Sequence, residues 1–272
     1  EMIPDRLPAE LRDIITSFPA GALQFEVGIQ TFNEDVAARI KRRQNYERTV
    51  DNLRFLLQES EAYIHADLIY GLPGESLESF SAGFDRLVAL GPQEIQANLL
   101  KRLRGTPIVR HNDTFAMVYS PDPPYELQHN RDLDARALER LKSFSRFWDL
   151  VSNSGNFVET AAALREGAAS PFERFLTLSD ALHARFGRTH AIALDELAEG
   201  VFVFLTENLG RDPRAASSML ARDYARCGRT RMPVFLRRFG IGDAPRAAGP
   251  GTRLKRQARR NVEQAFRLRG AA

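Results

Sequence analysis

Residues 64–75 read I-H-A-D-L-I-Y-G-L-P-G-E, and this stretch decides the fold. Its apolar, β-rich first part carries one carboxylate, Asp67, and then meets the Gly-Leu-Pro-Gly sequence of residues 71–74, which ends a strand and allows a tight turn. An amphipathic pattern follows from Leu77 and predicts a helix, so the stretch forms one strand–loop–helix unit. Because parallel-sheet proteins bind ligands at the carboxyl ends of their strands, we expect Asp67 and the loop after it to lie at a binding site.

The apolar spacing around this stretch predicts further elements of the same kind. The order of strand, helices, strand, helix and strand favours a parallel sheet with right-handed crossovers. Three strands are too few to close a barrel and would leave an edge uncovered. Either this half of the chain is unusually small or, as we expect, other strands lie upstream of Glu1. The predicted helices cover residues 8–18, 35–41, 46–59 and 77–90, and the predicted strands cover residues 23–30, 64–70 and 94–100.

Three segments together resemble the fourth, fifth and sixth strands of a radical S-adenosylmethionine (SAM) barrel. They are F-E-V-G-I-Q-T-F-N with R-R-Q-N (25–33 and 42–45), D-L-I-Y-G-L-P-G-E (67–75) and L-K-R-L-R-G-T-P (100–107). The resemblance covers residues 24–108. It is greatest to the oxygen-independent coproporphyrinogen oxidases and to the cobalamin-binding radical SAM proteins. It implies a partial (β/α) radical SAM barrel, an α/β fold, in residues 1–118.

The resemblance assigns Gln30 and Arg42 to the cofactor. Gln30 matches a glutamine that contacts the SAM ribose, and an amide offers the donor and the acceptor that a sugar diol needs. A polar strand end that faces solvent is the alternative. Arg42 matches an arginine that holds the methionyl carboxylate, which a guanidinium fork can bind with two hydrogen bonds. A solvated arginine that closes a helix C-terminus is the alternative there.

The second motif supplies the remaining candidate residues. Asp67 matches an aspartate that contacts the cofactor, and a structural aspartate bonded to loop amides is its alternative. Leu68, Ile69 and Gly71 would form the wall of the adenine site, although core packing explains them almost as well.

The chain departs from the family at the iron–sulfur cluster. The family binds its [4Fe-4S] cluster through a C-x-x-x-C-x-x-C loop, whereas this sequence has one cysteine, Cys227, which we interpret as a small buried hydrophobe. The glycine-rich second-strand segment is also absent. We therefore expect a truncated product or fragment whose missing N-terminal region carried the cobalamin module and the cluster loop. The chain alone would then be inactive.

The second half has a different character. Residues 119–125, Y-S-P-D-P-P-Y, form a proline-dense connector, and we place the domain boundary there. Helical patterns over residues 133–151, 156–164, 171–186, 194–205 and 214–224 predict an all-α accessory domain in residues 119–272. The segment R-F-W-D-L-V-S-N-S-G-N-F (146–157) resembles the helical C-terminal extension of one cobalamin-binding radical SAM group. Trp148 would either cap the barrel mouth or pack in a core.

Composition excludes several classes of function. The formal net charge is only +3. The sequence contains neither an apolar run long enough to span a membrane nor a secretion signal, so we expect a cytoplasmic protein. The histidines lack the spacing of metal ligands. The sequence contains neither the G-x-S-x-G motif of hydrolases nor the G-x-x-x-x-G-K-[ST] motif of phosphate-binding loops. The basic tail of residues 253–269 is either an RNA- or phosphate-binding segment or a solvated terminus.

These observations lead to two hypotheses. The first is the C-terminal portion of a radical SAM enzyme that uses cobalamin for methyl or other group transfer to an unknown substrate. The second is a non-catalytic accessory protein that retains a partial barrel and binds nucleic acid or a protein.

Overall fold

The computed structural model describes residues 1–243 and divides the chain into a first unit, Glu1–Ser145, and a second unit that begins at Arg146. This division falls later than the predicted boundary after residue 118. The predicted basic tail, residues 253–269, lies outside the described residues. No helix within residues 1–243 combines the length and the apolar character needed to cross a membrane.

The first unit contains the predicted three-stranded parallel sheet, with the strands in the order β1-β2-β3. Each crossover contains at least one helix, as parallel pairing requires. The elements are α1 (Ala9–Thr16), β1 (Gln24–Gln30), α2 (Glu34–Arg39), α3 (Tyr46–Glu59), β2 (Tyr63–Tyr70), α4 (Leu77–Leu90) and β3 (Glu94–Leu99).

The two faces of the sheet differ in polarity. Along β2, buried residues alternate with partly exposed ones, and Leu68 and Asp67 represent the two faces. The face of Asp67 continues in Glu26 on β1 and in Gln96 and Asn98 on β3, all three of which are exposed. Parallel sheets are normally covered on both faces. A polar, partly exposed face therefore marks the side on which a ligand or more protein would lie.

Local sequence explains where α4 begins and ends. The Ser76 hydroxyl accepts a hydrogen bond from the Ser79 N–H (3.2 Å) and caps the helix, and Gly91 ends it in the left-handed conformation. Phe84 is fully buried and meets Phe144 edge-on, with ring centroids 5.1 Å apart.

The proline-dense segment belongs to the first unit. Strands β4 (Val118–Tyr119) and β5 (Leu127–His129) form a short antiparallel hairpin around it. The Leu127 N–H donates to the Leu100 carbonyl (3.0 Å), and the Leu127 side chain is fully buried. This pairing joins the hairpin to the end of β3, which is why the structure does not divide at the prolines.

The second unit is helical, as the sequence predicts. Two of the predicted helices were longer than the α-helices observed because each α-helix continues as a π-helical turn, Asp149–Asn153 and Phe204–Asn208. Trp148 is buried and packs edge-on against Phe175, with ring centroids 4.8 Å apart. The α-helices are α6 (Ala135–Trp148, which begins in the first unit), α7 (Val158–Arg165), α8 (Pro171–Phe186), α9 (Leu194–Val203) and α10 (Pro213–Arg226); α5 (Asn112–Phe115) is a single turn in the first unit.

A buried carboxylate on α10 supplies the missing cap of α7. Asp223 is 1% exposed and accepts hydrogen bonds from the N–H groups of Glu159 (2.9 Å) and Thr160 (3.0 Å) and from the Thr160 hydroxyl (2.7 Å). Arg226 forms an ion pair with it at 3.3 Å. The contact therefore fixes α7 on α10 through the orphan donors of a helix N-terminus.

A second buried carboxyl group joins β1 to the loop after β2. Glu75 is 2% exposed and accepts a hydrogen bond from the Thr31 hydroxyl (2.5 Å). Burial raises the pKa of Glu75 to about 7, and hydrogen bonds from Thr31 and Ser79 oppose this only in part.

We expect Glu75 to make the first unit less stable as the pH rises. Its pKa is above the ordinary value of 4.5 in the folded state, so the folded chain retains a proton that the unfolded chain releases. The free energy of unfolding should fall between pH 4.5 and about 7, by at most roughly 3 kcal/mol. Glu75→Gln, which keeps a carbonyl acceptor for Thr31, should reduce this fall in denaturant titrations by the share that Glu75 contributes. The exposed control Glu61→Gln should retain it, and an unchanged slope in Glu75→Gln would contradict the assignment.

We expect Asp223 to contribute more stability than an exposed cap in the same unit. Asp223→Ala leaves the N–H groups of Glu159 and Thr160 without their buried acceptor, which should cost about 3 kcal/mol. Asp212 caps α10 from an exposed position by accepting from the Ala215 N–H (2.8 Å), and Asp212→Ala should cost about 1 kcal/mol. Chemical denaturation of both variants measures the difference, and equal losses would show that burial of Asp223 adds nothing.

Candidate functional site

Strand β1 ends in an unusual backbone conformation at Gln30. This residue has φ of +70°, and the Thr31 N–H donates to the Ile29 carbonyl (2.9 Å), closing a three-residue turn. The register with β2 shifts at the same place, between Gly28 and Gln30. A left-handed glutamine inside such a turn is strained, and strain of this kind persists only where neighbouring groups hold it.

The segment after α2 provides those neighbouring groups. Arg42, Gln44 and Tyr46 alternate along the chain, and each donates a hydrogen bond to a main-chain carbonyl at the end of β1. Arg42 Nη2 binds the Gly28 carbonyl, Gln44 Nε2 binds the Ile29 carbonyl at 2.9 Å, and the Tyr46 hydroxyl binds the Thr31 carbonyl at 2.9 Å. We call Arg42, Gln44 and Tyr46 the β1 anchor. It stabilises the turn at Gln30 from one side.

Gly28 is the point at which the Gln30 and Arg42 side chains converge. A Cβ atom at Gly28 would lie 2.6 Å from Gln30 Nε2 and 3.4 Å from Arg42 Nη2. Only a glycine leaves room for the amide to fold back over the strand. Sequence reasoning assigned no role to Gly28, although a glycine inside a strand often marks a close approach of this kind.

Arg42 has donors to spare for a ligand. A guanidinium has five N–H donors, and within residues 1–243 the Arg42 side chain makes one recorded hydrogen bond, to the Gly28 carbonyl. Partial burial lowers the pKa of Arg42, which nevertheless stays charged because an arginine cannot lose its proton in a protein. The residue also lines an open cavity of about 580 Å³. The cavity is lined by Glu34, Ala37, Ala38, Arg42, Arg43, Gln44, Asn45, Tyr46 and Glu47.

Asp67 lies beside this convergence on the next strand. Its Cα position pairs with Gly28 on β1 and with Gln96 on β3. Burial, followed by the negative charges of Glu26 and Glu1, raises the pKa of Asp67 to about 6. The carboxyl group is therefore mostly ionised at pH 7 and becomes neutral in mildly acidic solution. The structural alternative for Asp67 was a bond to loop amides, and the structure records no hydrogen bond of its side chain within residues 1–243.

The other predicted site residues lie elsewhere. Leu68 is 1% exposed, and its side chain points to the face of β2 opposite Asp67. Gly71 is buried with φ of +88°, and a Cβ there would lie 2.6 Å from Leu127 Cδ2. Core packing accounts for both residues. Their predicted contact with adenine stays a prediction.

Sequence reasoning also missed two residues that hold the loop after β2. The Asn130 side chain donates to the Gly71 carbonyl (3.1 Å), and the Asp132 carboxylate accepts from the Gly74 N–H (3.0 Å). The Asn-Arg-Asp sequence, residues 130–132, is typical of a side-chain-stabilised turn. That local signal was available in the sequence, but it does not predict which distant segment the turn contacts.

The residues of this chain fit SAM and do not fit an iron–sulfur cluster. The Gln30 amide at the end of β1, the neighbouring Arg42 guanidinium and the Asp67 carboxylate on β2 match a ribose, a carboxylate and a sulfonium cation. The one cysteine, Cys227, is 3% exposed, and its Sγ lies 3.5 Å from the Gly155 carbonyl. Within residues 1–243 no three histidine, cysteine or acidic side chains are grouped to hold a metal ion.

Three curated proteins are similar to part of this chain. An oxygen-independent coproporphyrinogen III oxidase of Cereibacter sphaeroides is 33% identical over 75 residues, which are 28% of this chain and 17% of the relative. A second such protein from that species, coproporphyrinogen III oxidase, anaerobic 1, is 32% identical over 75 residues. Anaerobilin synthase of Escherichia coli O157:H7 is 29% identical over 91 residues, 33% of this chain and 20% of the relative. The chain thus spans no more than a fifth of these relatives.

A solved structure is also similar to this chain: coproporphyrinogen III oxidase (HemN) from Escherichia coli, a radical SAM enzyme. It matches 55% of this chain and 31% of its own chain, with 21% identity and a TM-score of 0.40. The sequence similarities support the coarser part of the resemblance, namely a relation to the coproporphyrinogen oxidase group of radical SAM proteins. They carry no information about cobalamin.

A family profile matches residues 113–249, just over half of the chain. The match includes β4, β5 and most of the helical second unit. The chain therefore belongs to the family described as "protein of unknown function (DUF4080)".

Proposed function

We propose that the first unit binds SAM at the carboxyl ends of β1 and β2, as part of a radical SAM enzyme. The observation that carries this proposal is the convergence of Gln30 and Arg42 over Gly28, in register with Asp67. The carboxyl ends of parallel strands are where such proteins bind ligands. The strained turn at Gln30 supports the proposal because strain of this kind is concentrated at functional sites.

Each of the three side chains has a role that suits one part of SAM. The Gln30 amide offers a donor and an acceptor to the ribose hydroxyls. Arg42 offers its free N–H donors to the methionyl carboxylate. The Asp67 carboxylate accepts from hydroxyl groups and attracts the sulfonium cation. When bound, SAM supplies a sulfonium centre that can be cleaved reductively.

The reductive chemistry needs a [4Fe-4S] cluster, and the residues of this chain do not fit one. The residues named here therefore bind and orient SAM, and no further step is assigned to them. Cobalamin dependence, methyl transfer and the identity of the substrate stay predictions. The same holds for the predicted N-terminal region that would carry the cobalamin module and the cluster loop.

The alternative hypothesis, a nucleic-acid-binding accessory protein, has less support from the described residues. Many arginines of the second unit already form ion pairs with carboxylates, which reduces their positive field. Examples are Arg185 with Glu199 (3.1 Å), Arg211 with Glu166 (2.6 Å) and Arg222 with Glu159 (2.7 Å). The basic tail, residues 253–269, remains the part of the chain on which that hypothesis depends.

We expect isothermal titration calorimetry to detect binding of SAM to the 272-residue chain. Arg42→Ala should raise the Kd at least about ten-fold because it removes a charged hydrogen-bonding group. The exposed Arg48 on α3 provides a control of equal charge, and Arg48→Ala should leave the Kd unchanged. No binding by the wild-type chain would overturn the proposal.

Gly28→Ala tests the position of the Gln30 amide most specifically in the same titration. The new methyl group would displace the Gln30 amide, which is the flexible end of a side chain, so stability should change little. SAM affinity should nevertheless fall as far as it does in Gln30→Ala. Wild-type affinity in Gly28→Ala would show that the position of this amide does not matter.

We also expect SAM affinity to depend on the ionisation of Asp67. Below pH 6 the carboxyl group becomes protonated, so the affinity should weaken by up to about ten-fold for each further pH unit. Asp67→Asn should bind more weakly at pH 7 and show no such dependence. The exposed control Asp51→Asn on α3 should follow the wild-type profile, and an unchanged pH profile in Asp67→Asn would exclude this role for Asp67.

A further inference from the structure

The loop after β2, residues 71–74, is held by side chains more than by main-chain pairing. Within it, the Glu75 N–H donates to the Leu72 carbonyl (3.1 Å) in an ordinary turn. The other hydrogen bonds to the main chain of the loop come from side chains that are distant in the sequence. Asn130 Nδ2 donates to the Gly71 carbonyl (3.1 Å), and the Gly74 N–H donates to Asp132 Oδ2 (3.0 Å).

Asn130 has one orientation available. It is 6% exposed, and its Oδ1 accepts from the N–H groups of Asp132 (2.9 Å) and Leu133 (2.7 Å). Both of these partners are donors, so the amide nitrogen must point the other way, towards the Gly71 carbonyl. The side chain therefore joins a rigid turn to the loop, with each of these contacts satisfied.

Neighbouring contacts hold the same loop from its other side. Arg39 Nη1 donates to the Pro73 carbonyl (2.7 Å), and the Arg39 guanidinium lies 5.0 Å from the centre of the Phe115 ring. The Arg131 guanidinium lies 4.6 Å from the same ring, and the Arg131 N–H donates to the Phe115 carbonyl (2.8 Å). Residues 130–132 and Arg39 are thus linked through one aromatic ring.

These contacts connect two parts of the chain that are similar to different protein families. The loop belongs to the stretch that resembles radical SAM proteins, whereas Asn130, Asp132 and Phe115 lie in the part that the DUF4080 profile matches. We propose that Asn130 and Asp132, which we call the loop clamp, are positioning residues for the SAM site. They fix the loop that directly follows the strand of Asp67, and this inference rests on the proposed SAM binding.

The loop clamp is tested by variants that remove one contact at a time in the full chain. Asn130→Asp keeps the volume and both accepted hydrogen bonds but loses the donor to the Gly71 carbonyl. Asp132→Ala loses the acceptor for the Gly74 N–H, and Asp132→Asn restores it. Asp223→Ala in the second unit is a control that lowers stability without touching the loop.

SAM affinity is the first measurement. We expect Asn130→Asp and Asp132→Ala to raise the Kd for SAM about ten-fold, with Asp132→Asn close to wild type. Asp223→Ala should bind SAM as wild type does although it melts at a lower temperature. The inference is overturned if Asn130→Asp and Asp132→Ala bind SAM normally, or if Asp223→Ala weakens binding as much as they do.

Amide hydrogen exchange separates failure of the loop clamp from failure of SAM binding. Without ligand, the Gly74 amide should exchange slowly in the wild type and in Asp132→Asn, and faster in Asp132→Ala. Equal exchange in all three chains would overturn the loop clamp. Absence of SAM binding by the wild-type chain, with the expected exchange pattern, would overturn the proposed function and leave the clamp as a structural contact only.

Discussion

The three hydrogen bonds of the β1 anchor are the constraint on which the rest of the site depends. Arg42, Gln44 and Tyr46 bind the carbonyls of Gly28, Ile29 and Thr31, on both sides of Gln30, and hold Gln30 in a left-handed conformation. Such a conformation costs about 1–3 kcal/mol and persists only where the surroundings determine it. Without the anchor, Gln30 would continue the strand, and its amide would not lie over Gly28.

Parallel pairing extends this local constraint across one face of the sheet. It brings Gly28, Asp67 and Gln96 into one row, so that groups from three separate segments share a surface. The opposite face carries the apolar side chains, such as Leu68, that form the core of the unit. One sheet thus has a face that stabilises the fold and a face that remains available to a ligand.

Local patterns in the sequence predicted the strands of the parallel sheet, the helices and a candidate site at Asp67, whereas Gln30 and Arg42 were assigned only by the resemblance to radical SAM proteins. Alternation and helical spacing report which face of an element is buried, and the motif around Asp67 reports a strand that ends at a loop. The turn at Gln30 was not predictable because a glutamine gives no local signal for positive φ. The prolines of residues 119–125 were interpreted as a domain boundary, but the pairing of Leu127 with Leu100 is a tertiary contact that no local pattern reports. Asn130 likewise binds a carbonyl 59 residues away.

We propose that Gln30, Arg42 and Asp67 surround one SAM molecule. A crystal structure of the chain grown with SAM tests it most directly. We expect the ribose within hydrogen-bonding distance of the Gln30 amide, the methionyl carboxylate on Arg42, and the Asp67 carboxylate facing the nucleoside. SAM bound elsewhere on the chain, with these three side chains free of it, would contradict the account.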